Sequence, residues 1–180
     1  MKPWEENPQW QEGDLFFDFS LAKQVLKLDD ENHGLSHCLK SVDFVVEWSN
    51  QLWLIEVKDP DHGGIPLQHS EKQKTQFIEN LQSDALITDH LFPKLRDSLI
   101  YLGLNHGISD SPMKYIALIG LKSLDSAQLD GLKDRIWKHE WVAGPKKGWK
   151  KSFDVRAFNV EQWNKLLLQC PITRISELQT

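Results

Sequence analysis

The sequence predicts a mixed α/β domain that is built around a single sheet. Two runs rich in strand-forming residues, joined through a Ser-Asn pair, predict a hairpin from Val42 to Lys58. Beyond the hairpin, stretches with helical periodicity alternate with two further strand-like runs, a pattern typical of a sheet flanked by helices. The chain of 180 residues suits a single domain over residues 1–180, in which residues 1–13 are expected to form an N-terminal arm.

Periodicity, capping residues and turn residues place the individual elements in chain order. Before the hairpin, apolar residues at helical spacing predict a first helix from Asp14 to Leu28. The elements expected after it are helices over 68–81 and 93–102, a buried strand over 114–121, a helix over 126–139, a strand over 152–158 and a helix over 159–169. Ser126 and Asn159 are the expected N-caps of the last two helices.

Composition narrows the class of protein. No apolar run approaches the ~20 residues that a membrane-spanning helix needs, so we expect no membrane partner. The acidic N-terminus lacks the apolar region of a signal peptide, and the two cysteines are far apart, so a reduced, cytoplasmic protein is expected. No phosphate-cradling or serine-hydrolase motif is present. The net charge of −5 disfavours a domain that only coats nucleic acid, but a nuclease can be acidic because a bound metal offsets its carboxylates.

The hairpin carries three charges at positions where apolar residues would pack better. If its loop is centred between Ser49 and Asn50, as a two-residue or a four-residue connection would be, Asp43 lies directly opposite Glu56. Their Cβ atoms would then be about 5 Å apart. A three-residue turn would shift the register and separate this pair. Lys58 projects from the same face as Glu56 because side chains alternate along a strand.

Two opposed carboxylates destabilise a sheet unless a cation is bound between them. The second strand is apolar on both faces as far as Glu56, which predicts that it is covered on both sides and that its charges lie at the border of a core. Carboxylates this close can share Mg²⁺ or Mn²⁺, and an ammonium beside the metal can activate a water or stabilise charge on a phosphate. Asp43, Glu56 and Lys58 therefore predict metal-assisted hydrolysis of a phosphodiester.

Asp43, twelve intervening residues and then Glu56-Val57-Lys58 resemble the motif of the PD-(D/E)xK nuclease superfamily, although Val42 stands where that motif has proline. The resemblance covers roughly residues 14–121. It implies a restriction-endonuclease-like fold, a central mixed sheet with flanking helices and an αβββαβ-type core. It also implies that Asp43 and Glu56 ligate Mg or Mn, that Lys58 is the catalytic lysine and that the substrate is DNA rather than RNA.

Some members of this superfamily add an acidic residue from the first helix. The candidates for such a residue here are Asp14, Asp18 and Glu31, and the sequence does not choose between them. Endonuclease and exonuclease action remain equally open. A homodimer would supply one site for each strand of a duplex, and a non-catalytic domain that binds nucleic acid or protein is the alternative function.

A second feature of the sequence is a basic segment near the end of the chain. Glycine and proline residues between Trp141 and Arg156 predict a loop, and four lysines and a tryptophan lie in it: Lys146, Lys147, Trp149, Lys150 and Lys151. Such a loop could bind phosphates and stack on a base. A solvated basic loop explains the same pattern equally well.

Overall fold

The computed structural model describes residues 2–30, 34–62, 66–151 and 153–178. Its helices are α1 (Pro3–Glu6), α2 (Leu67–Gln82), α3 (Phe92–Asn105), α4 (Ser126–Lys138), α5 (Glu140–Ala143) and α6 (Val160–Leu166). Its strands are β1 (Gln11–Glu12), β2 (Leu15–Phe17), β3 (Gln24–Lys27), β4 (Phe44–Glu47), β5 (Leu52–Lys58), β6 (Met113–Ile119), β7 (Phe153–Phe158) and β8 (Ile172–Arg174). Within the described ranges, no helix has the length and apolar character needed to cross a bilayer.

A five-stranded mixed sheet, in the order β3-β4-β5-β6-β7, is the centre of the domain. The first three strands form an antiparallel meander, and β5, β6 and β7 run parallel to one another. Parallel neighbours need crossover connections, which α2 and α3 provide between β5 and β6, and α4 and α5 between β6 and β7. The predicted mixed α/β class with flanking helices is therefore confirmed.

Each face of the central sheet is covered by different elements. Val45, Leu54 and Tyr115 on one face pack against α2, α3 and α4. The opposite face, which includes Trp53, packs against α6 and against a three-stranded antiparallel sheet of order β1-β2-β8. Because both faces are covered, β5 is buried at five consecutive positions between its two ends, as its apolar sequence predicts.

The predicted helix from Asp14 to Leu28 is wrong. Two short strands, β2 and β3, occupy this segment, and Leu21 is 70% exposed between them instead of lying on a buried helix face. The aromatic residues decide the outcome, because Phe17 lies 5.1 Å from Phe44 and 5.7 Å from Trp163, measured between ring centroids. Helical spacing of apolar residues is a local signal, and these distant contacts override it.

The other predicted elements lie close to their expected positions. The helices and strands expected between residues 68 and 158 all occur, and Pro93 lies in the first turn of α3. The expected N-terminal arm is more regular than predicted, since β1 pairs with β2. The last helix ends at Leu166, three residues earlier than expected, and the strand β8 that follows was not predicted.

The N-cap of α4 differs from the prediction by one residue. Asp125, not Ser126, accepts a hydrogen bond from the Gln128 backbone N–H at 2.8 Å, and the Gln128 side chain accepts one in return from the Asp125 N–H. Asp125→Ala is expected to lower the free energy of unfolding by about 1 kcal/mol because it leaves a helix N–H without its partner. Ser126→Ala is the matched control, with an expected change below about 0.5 kcal/mol. Urea denaturation of both variants measures the difference, and a larger loss for Ser126→Ala would contradict this assignment.

Candidate functional site

The hairpin has the register that the sequence predicts. Phe44 pairs with Ile55 and Glu47 with Leu52, so the residue numbers of cross-strand partners add up to 99. Beyond the last pair, the Asp43 side chain reaches across to β5, where its Oδ2 accepts a hydrogen bond from the Val57 N–H at 2.6 Å. The structure therefore places Asp43 beside Glu56, at the end of β5 where the strand leaves the sheet.

Both carboxylates of the pair are buried. Asp43 is 3% exposed and Glu56 is fully buried. Lys58 Nζ lies 2.8 Å from Glu56 Oε1, which confirms that the two side chains share one face of the strand. Glu56 Oε2 has no hydrogen-bond partner among the described residues. A buried carboxylate oxygen without a partner is costly, so Glu56 Oε2 has unused capacity to accept a hydrogen bond or to ligate a metal.

A second lysine, which the sequence analysis missed, lies at the centre of the site. Lys94 Nζ is 3.0 Å from Glu56 Oε1 and 3.7 Å from Asp43 Oδ1. It is also 3.3 Å from Oδ2 of Asp29, which follows β3. The ammonium of Lys94 thus joins three carboxylates that come from three different segments of the meander.

Helix α3 positions both Lys94 and the segment that precedes Asp43. The Asp97 carboxylate accepts a hydrogen bond from the Lys40 N–H at 2.9 Å, and Ser98 Oγ accepts one from the Val42 N–H at 2.9 Å. Lys94, Asp97 and Ser98 are three and four residues apart, so they share one face of the helix. This polar stripe beside the apolar residues of α3 is the signal in the sequence that could have identified Lys94.

Burial and the neighbouring charges shift the pKa values at the site. Burial, assisted by the charge of Glu56, raises the pKa of Asp43 well above its usual value. Burial also raises the pKa of Glu56, against the opposing effect of Lys58 and Lys94. For Lys94, burial favours the neutral form, but the charges of Glu56 and Asp43 outweigh it and raise the pKa. Two carboxyl groups with raised pKa values, side by side, form a site that is stabilised by added positive charge.

None of the acidic residues expected from a first helix is shown to join the site. Asp14 accepts hydrogen bonds from Ser176 and lies 3.4 Å from Arg174, which also pairs with Asp59. Asp18 accepts a hydrogen bond from the Ser20 N–H at 3.0 Å in its own turn. Glu31 lies outside the described residues. Asp29, at the end of a strand and not of a helix, is the third acidic side chain at the site.

The residue that follows Lys58 is held by an ion pair. Arg174 of β8 donates hydrogen bonds to both carboxylate oxygens of Asp59, at 2.8 and 3.0 Å, and to the Gly120 carbonyl at 3.2 Å. The three residues come from the ends of β8, β5 and β6. Since Asp59 is adjacent to Lys58, this contact fixes the end of the strand that carries the lysine.

The basic segment lies away from the carboxylates. Residues 144–151 form a loop, and residues 145–151 of it line a cavity of about 1140 Å³ together with Leu52 at the start of β5. Leu52 and Glu56 are separated by about 13 Å along the strand. The loop and the carboxylate site therefore lie at opposite ends of β5 and near opposite ends of α3.

The residues of the basic segment differ in their contacts. Lys151 Nζ lies 2.6 Å from Asp110 Oδ1. Trp149 is 50% exposed, and its indole N–H donates to the backbone of α5. Lys146, Lys147 and Lys150 are exposed, and none of them has a carboxylate partner within the described part of the chain. These three lysines remain available to an anionic partner.

The donor set at Asp43 and Glu56 fits a hard divalent cation. No cluster of three or more His, Cys, Asp or Glu side chains suited to a metal occurs in the described ranges. Mg²⁺ commonly uses one or two protein carboxylates and takes its remaining ligands from water and substrate phosphates. Two buried carboxylates with one unpartnered oxygen meet this requirement.

Comparison with family models, with curated proteins and with solved structures finds no match to this chain. The geometry of the site is therefore the basis for assigning a function to this protein.

Proposed function

We propose that the protein is a metal-dependent nuclease that hydrolyses phosphodiester bonds, with DNA as the preferred substrate. The observation that carries this proposal is the buried pair of Asp43 and Glu56 with the Lys58 ammonium 2.8 Å from Glu56. Burying two carboxylates side by side is costly even where lysines neutralise them, so the presence of this pair at a strand end favours a functional site over a structural one.

The order and direction of the strands support a restriction-endonuclease-like fold. The antiparallel meander β3-β4-β5, the helices α2 and α3, and the strand β6 parallel to β5 reproduce the βββαβ portion of the αβββαβ-type core. The part that differs is the first helix, since the described chain has strands in the segment directly before β3. Support for the fold thus comes from the region that carries the site.

In the proposed reaction, each side chain has a distinct role. Asp43 and Glu56 would hold Mg²⁺ or Mn²⁺, which supplies Lewis-acid activation of the phosphate and of a water. Lys58, whose side chain is 25% exposed, can reach substrate, donate a hydrogen bond to the attacking water and stabilise negative charge on the phosphate oxygens. The water oxygen forms a bond to phosphorus as the bond to the leaving oxygen breaks.

The basic loop would contribute to substrate binding. Lys146, Lys147 and Lys150 would contact the backbone of a substrate that is long enough to reach them.

The test is a cleavage assay on supercoiled plasmid, single-stranded DNA and RNA with Mg²⁺ or Mn²⁺. The wild-type protein is expected to cleave DNA in a manner that EDTA abolishes. Asp43→Ala is expected to lose at least about 10²-fold in rate because half of the carboxylate pair is gone. Activity of Asp43→Ala equal to that of the wild type would refute the assignment.

A second candidate function is a non-catalytic domain that binds nucleic acid or protein. The observation that favours it is Lys94, because a side-chain ammonium already neutralises the carboxylates without a metal. Titration calorimetry with Mg²⁺ and Mn²⁺ separates the two candidates. Metal binding that Asp43→Ala removes supports the nuclease, and the absence of any metal binding supports the binding domain.

A further inference from the structure

We propose that Lys94 is a resident cation that competes with the divalent metal for Asp43 and Glu56, and that Asp29 holds the displaced ammonium when metal binds. This inference rests on the proposed function, since it concerns the same metal site. It assigns a regulatory role to Lys94 and a separate role to Asp29, neither of which follows from the hairpin motif.

The Lys94 ammonium lies where a metal held by Asp43 and Glu56 would bind. Lys94 Nζ lies 3.0 Å from Glu56 Oε1 and 3.7 Å from Asp43 Oδ1, so it occupies the space that both carboxylates face. A divalent cation that binds these two carboxylates needs the same space. The metal and the Lys94 ammonium cannot occupy this one position together, and the repulsion between their charges favours the departure of the ammonium when metal binds.

Asp29 gives the Lys94 ammonium an alternative carboxylate partner. The Asp29 carboxylate is 51% exposed and lies 3.3 Å from the same nitrogen. Lysine has a long, flexible side chain with three rotatable donors, so a small rotation can transfer its contacts towards Asp29. The Lys94 side chain is 18% exposed, which places it between the buried pair and solvent.

Lys58 differs from Lys94 in that it contacts one carboxylate of the pair and not both. Glu56 is the acidic partner of Lys58 within the described residues, and the Lys58 ammonium does not contact Asp43. It can therefore stay beside Glu56 when a metal binds between the carboxylates. The two lysines of the site therefore have different roles. Lys58 stays beside Glu56 and takes part in the reaction, whereas Lys94 is displaced by the metal.

The consequence is a site whose metal affinity is set by an internal competitor. Without metal, Lys94 neutralises the buried pair and stabilises the fold. Metal binding must displace it, so the observed affinity is weaker than the affinity of the carboxylates alone. Removing the positive charge of Lys94 should therefore tighten metal binding instead of weakening it.

The principal test is Mn²⁺ titration by calorimetry on the wild type and on Lys94→Gln, with no nucleic acid present. Lys94→Gln is expected to bind Mn²⁺ at least about tenfold more tightly because the competing charge is gone. Lys94→Arg, which keeps the charge, is expected to stay within about threefold of the wild type. Lys74→Gln is the matched control, since Lys74 also pairs with two carboxylates but lies on α2.

The role of Asp29 is tested by a double-mutant cycle. Asp29→Asn alone is expected to weaken Mn²⁺ binding because the displaced Lys94 loses its alternative partner. In the Lys94→Gln background, Asp29→Asn is expected to leave the affinity unchanged. An equal loss in both backgrounds would overturn this role and make Asp29 a direct metal ligand.

Acetylation of the wild-type protein provides a readout that needs no variant. The labelling of Lys94 by an acylating reagent, followed by mass spectrometry, is expected to increase several-fold when Mg²⁺ is added, whereas labelling of Lys74 stays constant. If Mn²⁺ binds equally to the wild type and to Lys94→Gln, or if Mg²⁺ binds without a change in Lys94 labelling, the competition is refuted and the nuclease proposal stands. If neither protein binds any divalent cation, both proposals fail.

Discussion

Replacement of Lys58 by alanine is expected to slow phosphodiester cleavage by about 10²–10⁴-fold, the range observed when a group that assists proton transfer or stabilises charge is removed. The protein should remain folded, since the Lys58 side chain is partly exposed and makes one described ion pair, with Glu56. Binding of Mn²⁺ should persist, because both proposed ligands are still present. Single-turnover cleavage of a labelled DNA measures the rate, and calorimetry measures the metal.

The control for this prediction is Lys74→Ala. Lys58 and Lys74 are both 25% exposed, and each lies 2.8 Å from a carboxylate oxygen, of Glu56 and Asp61 respectively. Loss of Lys74 should leave the cleavage rate within about twofold of the wild type, because its ion pairs are with Asp61 and Glu71 and not with the carboxylate pair. If the two alanine variants cleave at the same rate, Lys58 has no catalytic role.

Replacement of Arg174 by methionine is expected to lower the free energy of unfolding by about 3–5 kcal/mol, the cost of breaking a buried ion pair by removing one partner. Arg174 is 9% exposed and makes two hydrogen bonds to Asp59, whose side chain is 6% exposed. Without the guanidinium, the Asp59 carboxylate is buried and uncompensated. Chemical denaturation of the variant measures the loss, and a change below about 1 kcal/mol would contradict this account.

A second substitution tests the same contact from the opposite side. A Cβ atom added at Gly120 would lie 2.1 Å from Asp59 Oδ1, so Gly120→Ala must displace the carboxylate that Arg174 holds. The matched control is Gly131→Ala in α4, where an added Cβ meets nothing within 4 Å. The control is expected to stabilise the protein by about 0.4–1 kcal/mol. Destabilisation by Gly120→Ala and stabilisation by Gly131→Ala together locate the effect at Asp59.

The hairpin could be predicted from the sequence because its signals are local. The alternation of side chains and the central Ser-Asn turn specify the register, and the register alone brings Asp43 beside Glu56. The apolar residues on both faces of β5 predict charges at the border of a core, and the structure buries both carboxylates more completely than that. Local pattern was therefore sufficient for the core of the candidate site.

The parts that could not be predicted depend on contacts between distant segments. Phe17 has helical spacing with its neighbours, yet it packs against Phe44 and Trp163, which no local pattern encodes. Lys94 is far from the hairpin in sequence, and only the packing of α3 against the meander brings it to Glu56 and to Asp29. Most polar residues on a helix are solvated, so the polar stripe that Lys94 shares with Asp97 and Ser98 was too weak a signal to predict this role.

The position of the basic loop relative to the carboxylates could not be predicted from the sequence either. Its composition predicts an anionic partner, but composition carries no information about distance from the carboxylates. The structure places Lys146, Lys147 and Lys150 beside a cavity at the opposite end of β5 from Glu56. A substrate that contacts both the basic loop and the carboxylate pair must therefore extend over at least the length of β5 between Leu52 and Glu56.

Anomalous scattering from crystals grown with Mn²⁺ shows directly whether Asp43 and Glu56 form a divalent-cation site. The expected result is an anomalous peak between the two carboxylates, within coordination distance of an oxygen of each, with the Lys94 ammonium turned towards Asp29. Crystals saturated with Mn²⁺ that show no peak there, and in which Lys94 still contacts Asp43 and Glu56, would contradict the account.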